Sequence, residues 1–108
     1  MELAEADERM LEAMDDMRPF GMGNPTPVWA SAGVRVVGQP RVVGQGHLKL
    51  LLAAGGVQRE AIAWGMGQRT VPEGPLDVAF QLRKESYQGR ERIVLTVQDF
   101  RPTGQDQA

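Results

Sequence analysis

The stretch VRVVGQPRVVG, residues 34–44, decides how the rest of the chain can fold. Its two valine-rich halves have the β-branched composition of a strand, and Gly38 and Pro40 separate them. Such an interruption is typical of a bulge or of a barrel corner, where a strand changes direction. A bent first strand can pair with both ends of a sheet, so the stretch favours a small closed barrel over a sandwich.

The residues after the bend predict two further strands. Alternating leucines place one apolar face on HLKLLLAAGG, residues 47–56, whose final glycine pair is a hairpin signal. VQREAIAWGM, residues 57–66, therefore returns antiparallel and completes a three-stranded meander.

The register of this returning strand is ambiguous in the sequence. We expect Ile62 and Trp64 to face the core. The opposite register would bury Ala61 and Ala63 and would expose Trp64 as a platform on which a base could stack.

Two more strands follow a loop. Residues 65–75 are rich in Gly and Pro and predict an irregular connector with room for one helical turn. LDVAFQLRKES, residues 76–86, and ERIVLTVQDF, residues 91–100, both alternate apolar with polar side chains, and YQGR makes the turn between them. In the second strand, Ile93, Leu95 and Val97 are predicted on the apolar face. The sequence thus predicts a mainly β protein, a five-stranded OB-fold barrel preceded by an N-terminal α-helix.

The residues before the barrel have a different character. Apolar side chains recur at three- and four-residue steps over residues 1–17, which predicts an amphipathic helix that ends before Pro19. RPFGMGNPTPVW, residues 18–29, predicts a rigid joint, with Trp29 packed against Phe20 and the helix. The predicted organisation is a linker helix over 1–17, a joint over 18–29, a barrel over 30–102 and a disordered tail over 103–108.

Composition and charge narrow the function classes. The chain has no cysteine, so we expect neither disulfides nor thiolate metal sites. Residues 1–17 carry seven acids against Arg9, a net charge of −6, whereas the remainder carries +4. This asymmetry is compatible with a polyanionic partner, and ordinary surface charge is the competing interpretation. No apolar run approaches the roughly 18 residues that cross a bilayer, so we expect a cytoplasmic protein with no membrane contact.

Five blocks, in this order, resemble one family: PFGMGNPTPVW, HLKLLL, AIAWGMG, DVAFQL and YQGRERIVLTVQDFRP. They are similar to the C-terminal region of RecJ, the bacterial single-stranded-DNA-specific exonuclease of the DHH phosphoesterase superfamily, from about Arg18 to Pro102. The resemblance implies an OB-fold that follows two catalytic-core domains. It also implies 5′-to-3′ degradation of single-stranded DNA in recombination and repair, with manganese or magnesium held by the catalytic domain.

The catalytic signature of that family is not in this sequence. His47 is the single histidine and no DHH triplet occurs, so we expect a DNA-binding module that is not an enzyme alone and has no cofactor of its own. The partners that the resemblance implies are single-stranded DNA, the catalytic domains of the parent exonuclease and a single-stranded-DNA-binding protein. The alternative is a protein-interaction or structural barrel that docks a partner or braces the nuclease core.

OB barrels bind single strands through cations and flat side chains on the second and third strands and in two loops. His47 is expected to be a surface or hydrogen-bonded residue rather than a ligand. A hairpin between the last two strands places one ring among four cations and is the favoured contact region, with a merely solvated hairpin as the alternative. The predicted DNA-binding residues are Arg41, Lys49, Arg59, Arg83, Lys84, Tyr87, Arg90 and Arg92.

Overall fold

The computed structural model describes residues 1–7, 9, 10, 12 and 27–104, without the side chains of Tyr87 and Glu91. One turn of 3-10 helix, Leu3–Glu5, precedes the strands. The strands are β1 (Trp29–Val36), β2 (Arg41–Val43), β3 (His47–Ala54), β4 (Val57–Ala63), β5 (Leu76–Tyr87) and β6 (Arg90–Pro102).

The sheet closes on itself through β1. This strand pairs with β5 near Trp29 and with β3 at Arg35 and Val36, so the order β1-β5-β6-β4-β3 returns to β1. Strands β4 and β6 run parallel, and the other pairs are antiparallel. This closed topology confirms the predicted OB-fold barrel.

The described chain has six strands where the sequence predicts five. The expected single bent strand is two strands, β1 and β2, both antiparallel to β3. Gly38 adopts a φ of +70° and Pro40 lacks a backbone N–H, so the ladder is interrupted between them and resumes at Arg41. The predicted bend is therefore present, and it is sharp enough to separate the strand into two.

The core fills the barrel with the side chains that alternate inward. The predicted apolar faces of β3 and β5 are confirmed, but on β6 Val94 is buried, whereas Ile93, predicted on the apolar face, is only partly buried. The buried strand residues include Val34, Leu48, Leu50, Leu52, Leu76, Val78, Phe80, Leu82, Leu95, Val97 and Phe100.

The expectation that Ile62 and Trp64 face the core is wrong. Ala61 and Ala63 are 1% and 0% exposed, and Trp64 is 47% exposed. Ala61 lies directly opposite a buried leucine on each neighbouring strand, Leu50 on β3 and Leu95 on β6. A small residue is required between two leucines inside so narrow a barrel, which determines the register of β4.

The predicted continuous helix over residues 1–17 is wrong at its beginning. The 3-10 turn ends in a bend at Ala6 and Asp7, which buries Leu3 and Ala6 against the barrel. The backbone is helical again at Arg9, Met10 and Glu12, where the Met10 N–H donates to Asp7 Oδ1 at 3.1 Å in an N-cap arrangement. Packing against the barrel thus divides the segment into two parts.

Several predictions fall beyond these residues. The rest of the predicted helix, most of the joint including Phe20, and residues 105–108 of the tail lie outside the described residues. Trp29 packs partly buried against the core. The rigidity of the joint and the domain boundaries stay predictions.

Candidate nucleic-acid interface

A row of outward-facing side chains crosses five strands of the barrel. Directly opposite residues share a face of a sheet, so the register joins Arg41 on β2 to Lys49 on β3 and Lys49 to Ile62 on β4. It continues from Ile62 to Thr96 on β6 and from Thr96 to Gln81 on β5. The row therefore begins with two adjacent cations and ends with polar side chains.

An aromatic pair lies next to this row, on the same outer face of the sheet. His47, two residues before Lys49, meets Trp64 with ring centroids 4.7 Å apart and planes inclined at 72°. The guanidinium carbon of Arg83 lies 5.8 Å from the centroid of the Trp64 ring, within cation–π range. A half-exposed indole in contact with a second ring and a cation is a surface on which a planar ligand can stack.

The hairpin between β5 and β6 carries carboxylates among its cations. Glu85 accepts from Arg83 at 2.8 Å and from Arg92 at 3.1 Å, and Arg92 also pairs with Glu60 at 3.0 Å. The hydrogen bond from Arg92 is the main cause that holds the pKa of Glu85 below its ordinary value; burial opposes it, and the hydrogen bond from Arg83 lowers the pKa further. Two of the predicted DNA-binding cations are thus balanced by carboxylates.

One known family matches nearly the whole of this chain. The model described as the RecJ OB domain matches residues 1–99. The chain belongs to the RecJ OB-domain family. The family resemblance stated from the sequence is confirmed, and the match covers the OB module.

Two solved structures are similar to this RecJ OB domain. The crystal structure of RecJ in complex with Mn2+ from Thermus thermophilus shares 26% identity at a TM-score of 0.65, covering 86% of this chain and 13% of that one. The crystal structure of RecJ in complex with Mg2+ from the same organism shares 24% identity at a TM-score of 0.69, covering 94% and 15%, which supports the fold. The chain thus spans about one seventh of those RecJ proteins. No curated protein matches it.

Three of the sequence-predicted residues of the RecJ OB domain lie on the outer sheet face. Arg41 and Lys49 are neighbours across the β2–β3 pair, and Arg83 approaches Trp64 from β5. Arg41 and Lys49 belong to one β2–β3 hairpin, whereas Arg83 reaches the same surface through the pairing of β5 with β6 and of β6 with β4. Their contact with DNA stays a prediction.

The other predicted residues lie elsewhere or are engaged differently. Arg59 shares the inward register with Leu52 at one barrel end, where its Nε donates to the Ala6 carbonyl at 2.8 Å. Lys84 and Arg90 are exposed on the hairpin. The side chain of Tyr87 lies outside the described residues.

The predicted DNA-binding set omits Trp64, which lies half-exposed on the outer face. Both alternating sets of β4 are apolar, so hydrophobicity does not distinguish the face of Trp64 from that of Ala61 and Ala63. Side-chain size is the one signal in the sequence that distinguishes the two faces of β4. Alanines suit a tightly filled barrel interior, whereas Ile62 and Trp64 suit its outer face.

Arg69 is a second residue to which the sequence pattern assigns no role. Its guanidinium lies 4.1 Å from the Phe100 ring centroid, pairs with Asp99 at 2.8 Å and donates to the Phe100 carbonyl at 3.0 Å. The hydrogen bond from Arg69, followed by that from the Phe100 N–H, holds the pKa of Asp99 below its ordinary value. Arg69 thereby fastens the β4–β5 connector to β6.

The remaining surface offers weaker candidates. An open cleft of about 590 Å³ lies between the N-terminal segment and β4 and β6, and its charged lining mixes both signs: Asp7, Arg9, Arg59, Glu60 and Arg92. Within the described part of the chain, no group of three or more His, Asp or Glu side chains could hold a metal ion. Nor do the described residues include a helix long and apolar enough to cross a membrane.

Proposed function

We propose that this RecJ OB domain binds single-stranded DNA across the outer face of β2, β3 and β4. The observation that carries the proposal is Trp64, 47% exposed and in edge contact with His47 on the face that also presents Arg41 and Lys49. OB barrels bind oligonucleotides on the face of their second and third strands, which correspond here to β3 and β4. Base stacking on aromatic rings is worth about 1–3 kcal/mol per base and is available to every base.

The spacing of the side chains on this face suits the repeat of a nucleotide chain. His47 and Lys49 are two residues apart on β3, a step of about 6.8 Å along the strand. A base stacked on Trp64 would leave its phosphates within reach of Lys49, with Arg41 directly opposite Lys49 to meet the next phosphate. Arg83, with its guanidinium carbon 5.8 Å from the centroid of the indole, would add a cation beside the stacked base. Stacking and phosphate neutralisation are thus available on one continuous surface.

The sheet is a better path than the hairpin because of the carboxylates. A phosphate approaching Arg92 meets Glu60 and Glu85, both already bound to that guanidinium. Breaking these pairs would offset part of the attraction, and like charges repel at short distance. Lys84 and Arg90 would add long-range attraction rather than a defined binding site.

The family match supports a role for the domain within a longer protein. We infer that it guides a single strand toward the catalytic domains of a RecJ-type, metal-dependent exonuclease acting in recombination and repair in the cytoplasm. The divalent metal would belong to those domains. A single-stranded-DNA-binding protein is the further partner that this role implies.

The test is binding of labelled oligothymidine at low salt, followed by fluorescence anisotropy. Replacing Trp64→Ala should weaken binding about 5- to 150-fold, the equivalent of one lost stacking interaction, and should leave the salt dependence unchanged. Replacing Lys49→Gln should lower the logarithmic salt slope by about 0.7. Arg90→Gln is the matched control, because it removes one exposed cation from the hairpin.

Two results would contradict the proposal. If Trp64→Ala and Lys49→Gln bind like the unmodified domain while Arg90→Gln loses affinity, the strand runs over the hairpin. If the domain binds single and double strands equally, or binds neither, the protein-docking alternative is favoured. Thermal melting of each variant should verify that it is folded.

A further inference from the structure

Two loops meet beside Trp64. The turn between β2 and β3, residues 44–46, contacts the beginning of the β4–β5 connector, where the Gly67 N–H donates to the Gly46 carbonyl at 2.8 Å. A Cβ atom on Gly67 would lie 2.7 Å from that carbonyl carbon, so the two backbones touch. Because these two loops are joined, they fix the position of the end of β4 and of Trp64, which follows it.

His47 is the side chain that completes this contact. Its Nδ1 accepts a hydrogen bond from the Gly65 N–H at 2.9 Å, and its ring meets the Trp64 ring edge-on. A Cβ atom on Gly44 would lie 3.3 Å from His47 Cδ2, so the turn limits the imidazole on a further side. Because Nδ1 is the acceptor, the neutral ring carries its proton on Nε2.

We propose that His47 is a positioning residue for Trp64, and that it holds the indole ready for stacking through its Nδ1 bond to the Gly65 backbone. The proposal rests on the function proposed above and adds a reason why one exposed indole would bind well. A side chain that must be ordered on binding weakens affinity, and one ordered beforehand does not. His47 would act through Trp64, without touching the DNA.

The backbone around Trp64 explains why such support is needed. Trp64 follows the last residue of β4, and Gly65 next to it adopts a φ of +71° that side-chain-bearing residues rarely adopt. The strand ladder therefore ends at this indole. The contacts of His47 with Trp64 and Gly65 replace the missing strand neighbours.

The experiment compares three substitutions of His47. Asparagine places an amide oxygen close to the position of Nδ1 and keeps the acceptor, glutamine places its amide nearer Nε2, and alanine removes both. Oligothymidine affinity is measured together with the ¹⁹F spectrum of protein labelled with 5-fluorotryptophan, in which Trp64→Phe identifies the Trp64 resonance. His47→Ala should weaken binding about 2- to 12-fold and shift and narrow that resonance, because ordering one side chain costs about that much. His47→Asn should retain both properties better than His47→Gln.

A double-mutant cycle separates positioning from direct contact. In a Trp64→Ala background, His47→Ala should have no further effect on affinity, because it acts only through the indole. An equal loss of affinity in both backgrounds, or an unchanged Trp64 resonance in His47→Ala, would overturn the proposal. If His47→Ala does not fold, the asparagine and glutamine variants decide by the same criteria. If the domain binds no oligothymidine at all, the proposed function fails, and the ¹⁹F spectra still test the positioning.

Discussion

Replacing Gly67→Ala should destabilise the domain by about 0.5–4 kcal/mol. The new Cβ would lie 2.7 Å from the carbonyl carbon and oxygen of Gly46, and both are backbone atoms that cannot rotate away. Separating the loops costs about 1–3 kcal/mol of overpacking and weakens the Gly67 to Gly46 hydrogen bond, worth about 0.5–1.5 kcal/mol. The lower entropy of the unfolded alanine chain returns about 0.4–1 kcal/mol.

Urea unfolding followed by circular dichroism measures this change. The midpoint should fall with the slope unchanged, because the barrel still exposes the same surface on unfolding. Gly65→Ala is the matched control, since Gly65 has open space around its Cβ position but a φ of +71°. Its cost should be the left-handed backbone penalty of about 1–2 kcal/mol without a steric clash.

No second substitution can relieve the clash at Gly67, because its Cβ would meet backbone atoms of Gly46 rather than a side chain. A Gly67→Ala protein as stable as the unmodified domain would show that the loops are not in contact. That result would also remove the support that we assign to Trp64.

Two further predictions concern residues outside the proposed interface. Asp99→Asn should cost less than about 1 kcal/mol at neutral pH, because its pair with Arg69 is solvent-exposed. The folded-state pKa of Asp99 is lowered, so the stability that its carboxylate contributes is present above the ordinary aspartate pKa and is lost as pH falls through the folded-state pKa. The urea midpoints of Asp99→Asn and of the unmodified domain should therefore converge in acid. Midpoints that stay apart would contradict this prediction. Arg59→Met should cost about 1–3 kcal/mol in urea unfolding, because the Ala6 carbonyl loses its donor. Oligothymidine affinity should be unchanged in this variant, and a loss would return Arg59 to the DNA-contacting set.

Local patterns were sufficient for much of the barrel. The faces of β3 and β5 follow from a two-residue alternation in which one set is apolar and the other is largely polar, as around Phe80. The Gly55-Gly56 turn was predictable for a similar reason, because its φ values of +59° and +81° suit glycine at both positions. In each case the energy that selects the structure lies within a few neighbouring residues.

Long-range packing settled what those patterns left open. On β4 both alternating sets are apolar, so the leucines opposite Ala61, on β3 and β6, determined that Trp64 lies outside. The charges of the hairpin likewise could not be judged from their own segment, because Arg92 pairs with Glu60 on another strand. Arg59 is oriented by the Ala6 carbonyl, 53 residues away in the sequence. Size complementarity and charge pairing act between atoms that meet only after the barrel closes, so a local sequence pattern carries little information about them.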